Sequence, residues 1–412
     1  MCIRDRLYGQ SQQLSVSDIT FTGAQKNDVK FLYSLLKTQL HQELDAQHAE
    51  EDRQTLANLA GIQNVSYQSD TVKHGLHLNF SIEERKTLLP IINFGGIEGN
   101  IWYRIGFTDT NWKGKGQTLL AYYQNNDRRH SGQVYFKNPT IHNSTWGYSL
   151  GLNSWASVEP VFFANQTLDY LYDNDAFSAS IIKRLNLRSQ FELGGTFFRE
   201  QYRSLNNPSE LPNNIPSELT QHKWLIKSHY YLNKIDYHFF YASGYTFDVS
   251  VQQVFNNTDE NIFHSVLLES KYFKRIQEKS NLAARVRLGI STNNDSPFAP
   301  FVADSHVNIR GVGNRIDRGT AQVVFNLEWR YTLTHKKNWS TQLVAFSDLG
   351  TWRNPGGSLS DLVDSEQFRH FIGAGFRLNN LKLFHGTLRV DYGIDIYNKK
   401  QRGLVIGFGQ YF

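Results

Sequence analysis

The chain has 412 residues, formal charge +5, 40% hydrophobic and 14% aromatic residues, and a single Cys and a single Met. Mean hydropathy is −0.48, and no run approaches the roughly 18 apolar residues of a spanning helix; this excludes a polytopic helical membrane protein but not a membrane β-barrel, whose strands are only half apolar. With 8 Trp, 21 Tyr and 28 Phe the chain is too aromatic for disorder, and Cys2 alone permits neither a disulfide framework nor a thiolate metal site.

Residues 1–12 stand apart. No apolar core of a secretory signal precedes Leu7–Gln12, yet that stretch reads like the tail of one, so 1–12 is expected to be non-native or a signal-peptide remnant. Residues 13–88 read as a small α/β domain. Leu14, Val16, Ile19 and Phe21 mark a first strand, closed by Gly23. Asp28 caps a helix carrying Phe31, Leu32, Leu35 and Leu36 at helical spacing. Asp45 caps a second, through Ala49, Leu56, Leu59 and Ala60 to Gly61. Val65 and Tyr67, then Leu76, Leu78, Phe80 and Ile82 after Gly75, alternate as two more strands. The order is β-α-α-β-β.

From residue 97 to 412 the period is 2. Leu288 alternates with Arg287, Leu327 with Glu328, Val390 with Arg389, and Ile394 with Asp395. One face is continuously apolar and the other carries charge, amide or glycine. That pattern predicts lipid outside and a polar lumen inside, on strands long enough for a tilted span. Sixteen segments follow, at about 99–107, 117–124, 132–138, 146–153, 158–170, 176–185, 188–199, 222–232, 236–250, 262–275, 280–291, 321–332, 340–350, 370–378, 386–396 and 403–412. Long connections, among them 200–221, 292–320 and 351–369, alternate with short ones, the signature of an outer-membrane barrel. The first and last segments then form the closing seam, with Ile101 and Tyr103 on one side and Gly407, Gly409 and Phe412 on the other. Glycine weakens such pairing because it packs nothing.

No catalytic constellation is present: there is no H-E-x-x-H, G-x-S-x-G, P-loop or dinucleotide signature, so neither an enzyme nor a cofactor is expected. His222, His229 and His238 read as scattered barrel histidines, and Arg389, Asp391 and Asp395 as a lumen charge network. The positive excess lies in the alternating region and forms no nucleic-acid stripe.

The loop 292–320 contains Asn308-Ile309-Arg310-Gly311-Val312-Gly313. Its R-G pair, the strand Phe325–Tyr331 (F-N-L-E-W-R-Y), the segment Phe346–Gly350 (F-S-D-L-G) and the aromatic Phe412 resemble the BamA/TamA outer-membrane protein assembly superfamily, also called bacterial surface antigens. Residues 14–84 are similar to that family's periplasmic POTRA repeat. The resemblance implies a barrel in the bacterial outer membrane with one POTRA domain in the periplasm. It implies that Arg310, with Gly311, folds into the lumen and pairs with Glu328 and Asp348. The family's aromatic after the R-G pair is here Val312. Implied partners are unfolded outer-membrane or secreted client proteins, outer-membrane lipid, and periplasmic chaperones or accessory lipoproteins. The implied function is insertion or translocation of clients through the seam or lumen. A secretion pore for one dedicated partner and a passive porin-like barrel are the alternatives.

Overall fold

The computed structural model describes residues 15–412, apart from 74, 98–99, 127–128, 142–143, 164–165, 187, 213–214, 239–240, 257–261, 295–298, 306, 314–316 and 385. The expectation for residues 1–12 lies outside the described residues.

The small domain runs β1 (Val16–Thr22), α1 (Val29–Tyr33), α2 (Ala46–Ala57), β2 (Ile62–Val72), β3 (Gly75–Glu84). Its sheet has the order β1-β3-β2, with β1 parallel to β3. Both expected caps form: Asp28 accepts from Phe31 N at 3.0 Å and Asp45 from Gln47 N at 2.8 Å. The first helix is shorter than its apolar spacing suggests, ending at Tyr33, but Leu35 still packs into the core. Val16, Ile19, Leu32, Leu56, Leu78 and Phe80 are buried between helices and sheet. Each such aliphatic or aromatic side chain contributes about 1.5–3 kcal/mol.

Sixteen long strands close into an antiparallel barrel. They are β4 (Leu88–Ile97), β5 (Asn100–Trp112), β6 (Gln117–Asn126), β7 (Arg129–Asn138), β8 (Trp146–Phe163), β9 (Gln166–Asn186), β10 (Ser189–Ser204), β11 (Glu218–Asn233), β12 (Ala242–Asn256), β13 (Ile262–Gln277), β14 (Ser280–Ser291), β15 (Ala321–Lys336), β16 (Trp339–Arg353), β17 (Arg369–Asn380), β18 (Thr387–Asp395) and β19 (Arg402–Phe408). The alternation sorts the faces as expected. Leu288, Phe325, Trp329 and Leu388 are exposed on the outer wall, while Glu328, Arg389 and Asp395 are buried inside.

The expected strand count of sixteen is reached by different strands. The barrel begins at Leu88, not at residue 97, so the stretch between the expected small domain and the expected barrel is its first strand. In Leu88-Leu89-Pro90-Ile91-Ile92 both faces are apolar and a proline interrupts, which hides the period of 2. The proline is tolerated because this is an edge, where a missing N–H breaks no continuous ladder. Conversely, the expected strand 158–170 is the top of β8 and the start of β9. These two strands, of 18 and 21 residues, outrun the 9–11 or so that a bilayer requires.

The small domain rests against the turns at one end of the barrel, here called the domain end. Asp28 N donates to Gly114 O at 3.0 Å, and Asn111 Nδ2 to Asn27 Oδ1 at 2.8 Å, at the β5–β6 turn. Asn58 Nδ2 donates to Asp236 Oδ1 at 3.2 Å in the β11–β12 turn. Lys86 N donates to Lys382 O at 2.9 Å, Phe384 N donates to Lys86 O at 3.0 Å, and Arg85 lies over the Phe384 ring, all at the β17–β18 turn. The loop 292–320 enters the barrel from the opposite, far end.

Candidate functional site: a loop clamped beside the seam

Arg310 is fully buried in the lumen. Its backbone N and its Nε both donate to Asp348 Oδ2, at 2.9 and 2.8 Å, and Nη2 donates to Asp348 Oδ1 at 2.8 Å. Nη1 donates to Glu328 Oε1. The loop arginine is thus bidentate on one carboxylate and single on another. That is the strong, charge-assisted geometry that only a guanidinium fork supplies. Glu328 lies on β15 and Asp348 on β16, and Asn326 ties them together by donating to Asp348 Oδ1 at 2.8 Å.

Motif reasoning does not anticipate several members of this site. Arg330 Nε holds the other Glu328 oxygen at 2.6 Å. Arg377 Nη1 and Nη2 reach Asp391 at 2.6 and 3.1 Å, and Arg310 Nη1 lies 3.9 Å from the same carboxylate. Glu328, Asp348 and Asp391 are therefore surrounded by Arg310, Arg330, Arg377 and Arg389, each buried charge facing an opposite one. Alternation does place Arg377 and Asp391 on the lumen face. Their pairing depends on strand register, which local sequence does not carry.

The aromatic that follows the R-G pair in the resembling family has substitutes here. The guanidinium carbon of Arg310 sits 3.7 Å from the Phe346 ring centroid and 4.4 Å from that of Tyr411. Two faces thus stack on it from outside the loop. Val312 instead packs against the apolar cluster of Phe301, Ile309, Val324, Trp352 and Phe371.

Gly311 sets how close the loop comes to the wall. Its φ is +94°, and a Cβ there would lie 2.8 Å from Gly393 O. A Cβ on Gly393 would meet Arg310 O at 2.5 Å, and one on Gly403 would meet Gly311 O at 2.8 Å. Gly393 and Gly403 are opposite each other on β18 and β19. Together they form a bare backbone platform on which the loop tip lies.

The seam is different from the expected one. Ile101 and Tyr103 lie one strand in from it, on β5, opposite Gly96 and Phe94. The closing pair is β19 with β4, through Leu404–Gly96, Val405–Gly95 and Ile406–Phe94 only. Below Phe94, residues Leu88–Asn93 are paired with β5 alone. The last strand stops short of 412 as well. It ends at Phe408, and Gly409, at φ +95°, turns the chain inward. Tyr411 becomes buried, with its hydroxyl donating to Ser305 O of the loop at 3.3 Å. Phe412 lies against Phe273 in the lumen rather than on an outer strand edge. Gly407 lets Asn93 approach, and Asn93 Oδ1 accepts from Phe408 N at 3.1 Å in place of a ladder bond.

The three singled-out histidines lie apart. His222 stacks on Phe197 on the outer wall, His229 bonds Asp248 in the lumen, and His238 stacks on Tyr241 in a turn.

Residues 111–412 match the family described as the Omp85 superfamily domain. No curated protein matches the chain significantly. Among solved structures, the chain is similar to BamA from Haemophilus ducreyi lacking POTRA domains 1–3, at 16% identity over 96% of this chain and 84% of that one, with TM-score 0.58. It is similar to CdiB from Acinetobacter baumannii at 12% identity, covering 97% of this chain and 74% of that one, with TM-score 0.59. CdiB from Escherichia coli, at 8% identity, gives 97%, 77% and 0.64. With the family match spanning most of its length and a closed sixteen-stranded barrel to go with it, the chain belongs to the Omp85 superfamily and is an outer-membrane β-barrel.

Proposed function

We propose that this protein inserts or translocates outer-membrane or secreted client proteins, using the seam between β4 and β19 as its working edge. The observation that carries the reading is the three-pair seam beside a strand whose lower part, Leu88–Asn93, has no ladder partner on the seam side among the described residues, the Asn93 side chain alone reaching across to Phe408 N. Unpaired backbone N–H and C=O groups at membrane depth are a template for an incoming strand. Most of the exchange free energy comes from replacing one set of ladder bonds with another, so the work needs neither nucleotide nor covalent chemistry. In this reading the small domain is a periplasmic POTRA domain, and its edge strand β2 receives the client's extended segments first. The far end of the barrel then faces the cell exterior. Chaperones and accessory lipoproteins bring clients to the domain end.

The seam lock tests this. Phe94 and Ile406 are directly opposite, so Phe94→Cys with Ile406→Cys, in a Cys2→Ser background, places two thiols across the seam. Oxidised protein is expected to lose client assembly while keeping its heat-resistant barrel band on gels, and reduction restores activity. Locked protein that assembles clients as well as wild type rules out seam gating and favours passage through the lumen or a passive barrel.

A further inference from the structure

The loop 292–320 has a second buried anchor, on the opposite wall from Arg310. Arg318 pairs with Glu159 near the far end of β8. In the closed ring β8 is the fifth barrel strand, while Glu328 and Asp348 lie on the twelfth and thirteenth, about half the circumference away. Glu159 is 3% exposed, and its Oε1 accepts from Ser157 Oγ at 2.6 Å, with Trp155 Nε1 donating to that serine at 3.0 Å. The Arg318 guanidinium lies 5.5 Å from the Tyr172 ring centroid, and its Nη1 donates to Ala299 O at 3.0 Å. Val161, Tyr170, Tyr172, Tyr202 and Ile215 form an apolar cluster around this wall. Phe301–Ala303 and Asp317–Gly319 pair as a short ribbon within the loop, so Arg318 projects from a stiff element and not from a slack one.

We infer that Arg318 and Glu159 are a positioning pair that bars the far mouth of the lumen, working independently of Arg310. The Arg310 site holds the loop tip on the β15–β19 wall. It does not by itself close the gap to β8, because every wall partner it has lies on β15, β16 or β18. Among the described residues, the ion pair that joins this loop to the other wall is Arg318–Glu159. Opening the mouth therefore requires breaking one buried ion pair while the loop tip stays docked. Two loop positions follow, barred and unbarred, with the same Arg310 contacts in both.

Conductance of the full chain in planar bilayers tests this without any client, so its outcome is separate from that of the seam lock. Glu159→Gln keeps the shape of the side chain and removes its charge. The expected result is an open-state occupancy raised about tenfold or more, the weight of one charge-assisted hydrogen bond. The charge swap Glu159→Arg with Arg318→Glu is expected to return occupancy toward wild type, which a purely structural role would not do. Glu159→Cys with Arg318→Cys, again with Cys2→Ser, bridged by a bis-methanethiosulfonate reagent about as long as the two lost side chains, is expected to silence openings and to release them on reduction. That pair keeps the test decisive even if Glu159→Gln does not fold. Unchanged occupancy in a folded Glu159→Gln, or openings that persist in the bridged double-cysteine protein, overturns the inference.

Discussion

β15 and β16 pair over fifteen residues; β19 and β4 pair over three. The first pair carries Glu328 and Asp348 and holds the loop arginine. The second carries Gly403 and Gly407, and its far strand has an open edge. The barrel therefore carries its cluster of buried arginine–carboxylate contacts in one wall and its weakness in a joint three strands away. The same loop touches both: Arg310 is bonded to the strong wall, and Gly311, the next residue, lies on Gly393 of β18 and on Gly403 of β19, the strand that forms the weak joint. A rigid support placed one residue from a labile joint keeps that joint in register without adding ladder bonds to it.

Removing the support gives the largest expected effect. Arg310→Ala leaves Asp348 buried without its ion-pair partner, while Glu328 keeps Arg330, at a cost of about 3–5 kcal/mol. The heat-resistant barrel band on gels should melt at a clearly lower temperature, and Arg310→Lys should recover only part of the loss because it lacks the bidentate fork. Wild-type melting of Arg310→Ala would mean that the wall does not depend on the clamp.

A smaller change sharpens the contrast. Gly393→Ala puts a methyl 2.5 Å from Arg310 O, a backbone atom with little room to give. The expected cost is about 1–3 kcal/mol, as for other overpacked sites. It should fall on the loop and seam, read as faster hydrogen exchange at 308–313 and 402–406, while β15–β16 amides stay protected. Uniform loss of protection across both regions would erase the distinction drawn between them.

The smallest effect concerns the small domain. Burial pushes Glu84 up, but backbone N–H donors from Gln25, Lys26 and Asn27 and the Asn27 side chain outweigh it, leaving the carboxyl below its usual range. Asp28 is held down chiefly by the Phe31 N–H and also by Lys115. Both folded pKa values are depressed, so the stability they contribute is present above the unfolded carboxylate range, near pH 4. It is lost as pH falls through the folded values. Limited proteolysis should release the small domain faster at pH 3 than at pH 6, with Glu84→Gln flattening that dependence.

Sequence reading succeeded where the two faces of a strand differ chemically. Leu327 beside Glu328 is legible because a one-residue slip would put a carboxylate into lipid. It failed in Leu88–Ile92, where both faces are apolar, and it read an extra strand at 158–170 out of the end of β8 and the start of β9 because those strands continue past the bilayer. Arg310, Glu328 and Asp348 were reachable through motif resemblance. Asp391 was legible only as a lumen charge beside Arg389; its pairing with Arg377 and the inward place of Tyr411 were not, since they depend on register and on a turn at Gly409. Gly393 and Gly403 read only as missing side chains. Their closeness to the loop backbone is a tertiary fact that no local pattern encodes.

The small domain touches the β5–β6 turn on one side of the seam and the β17–β18 turn on the other. Those turns lie at the feet of the strands that flank β4 and β19. Spreading the seam moves these two turns apart, while one folded domain has hold of both. Separation must therefore lengthen the Asp28–Gly114 hydrogen bond, or the Lys86–Lys382 one, or tilt the domain as a whole. The domain acts as a hasp across the joint, and anything that draws it away from either turn lowers the work of parting the strands above.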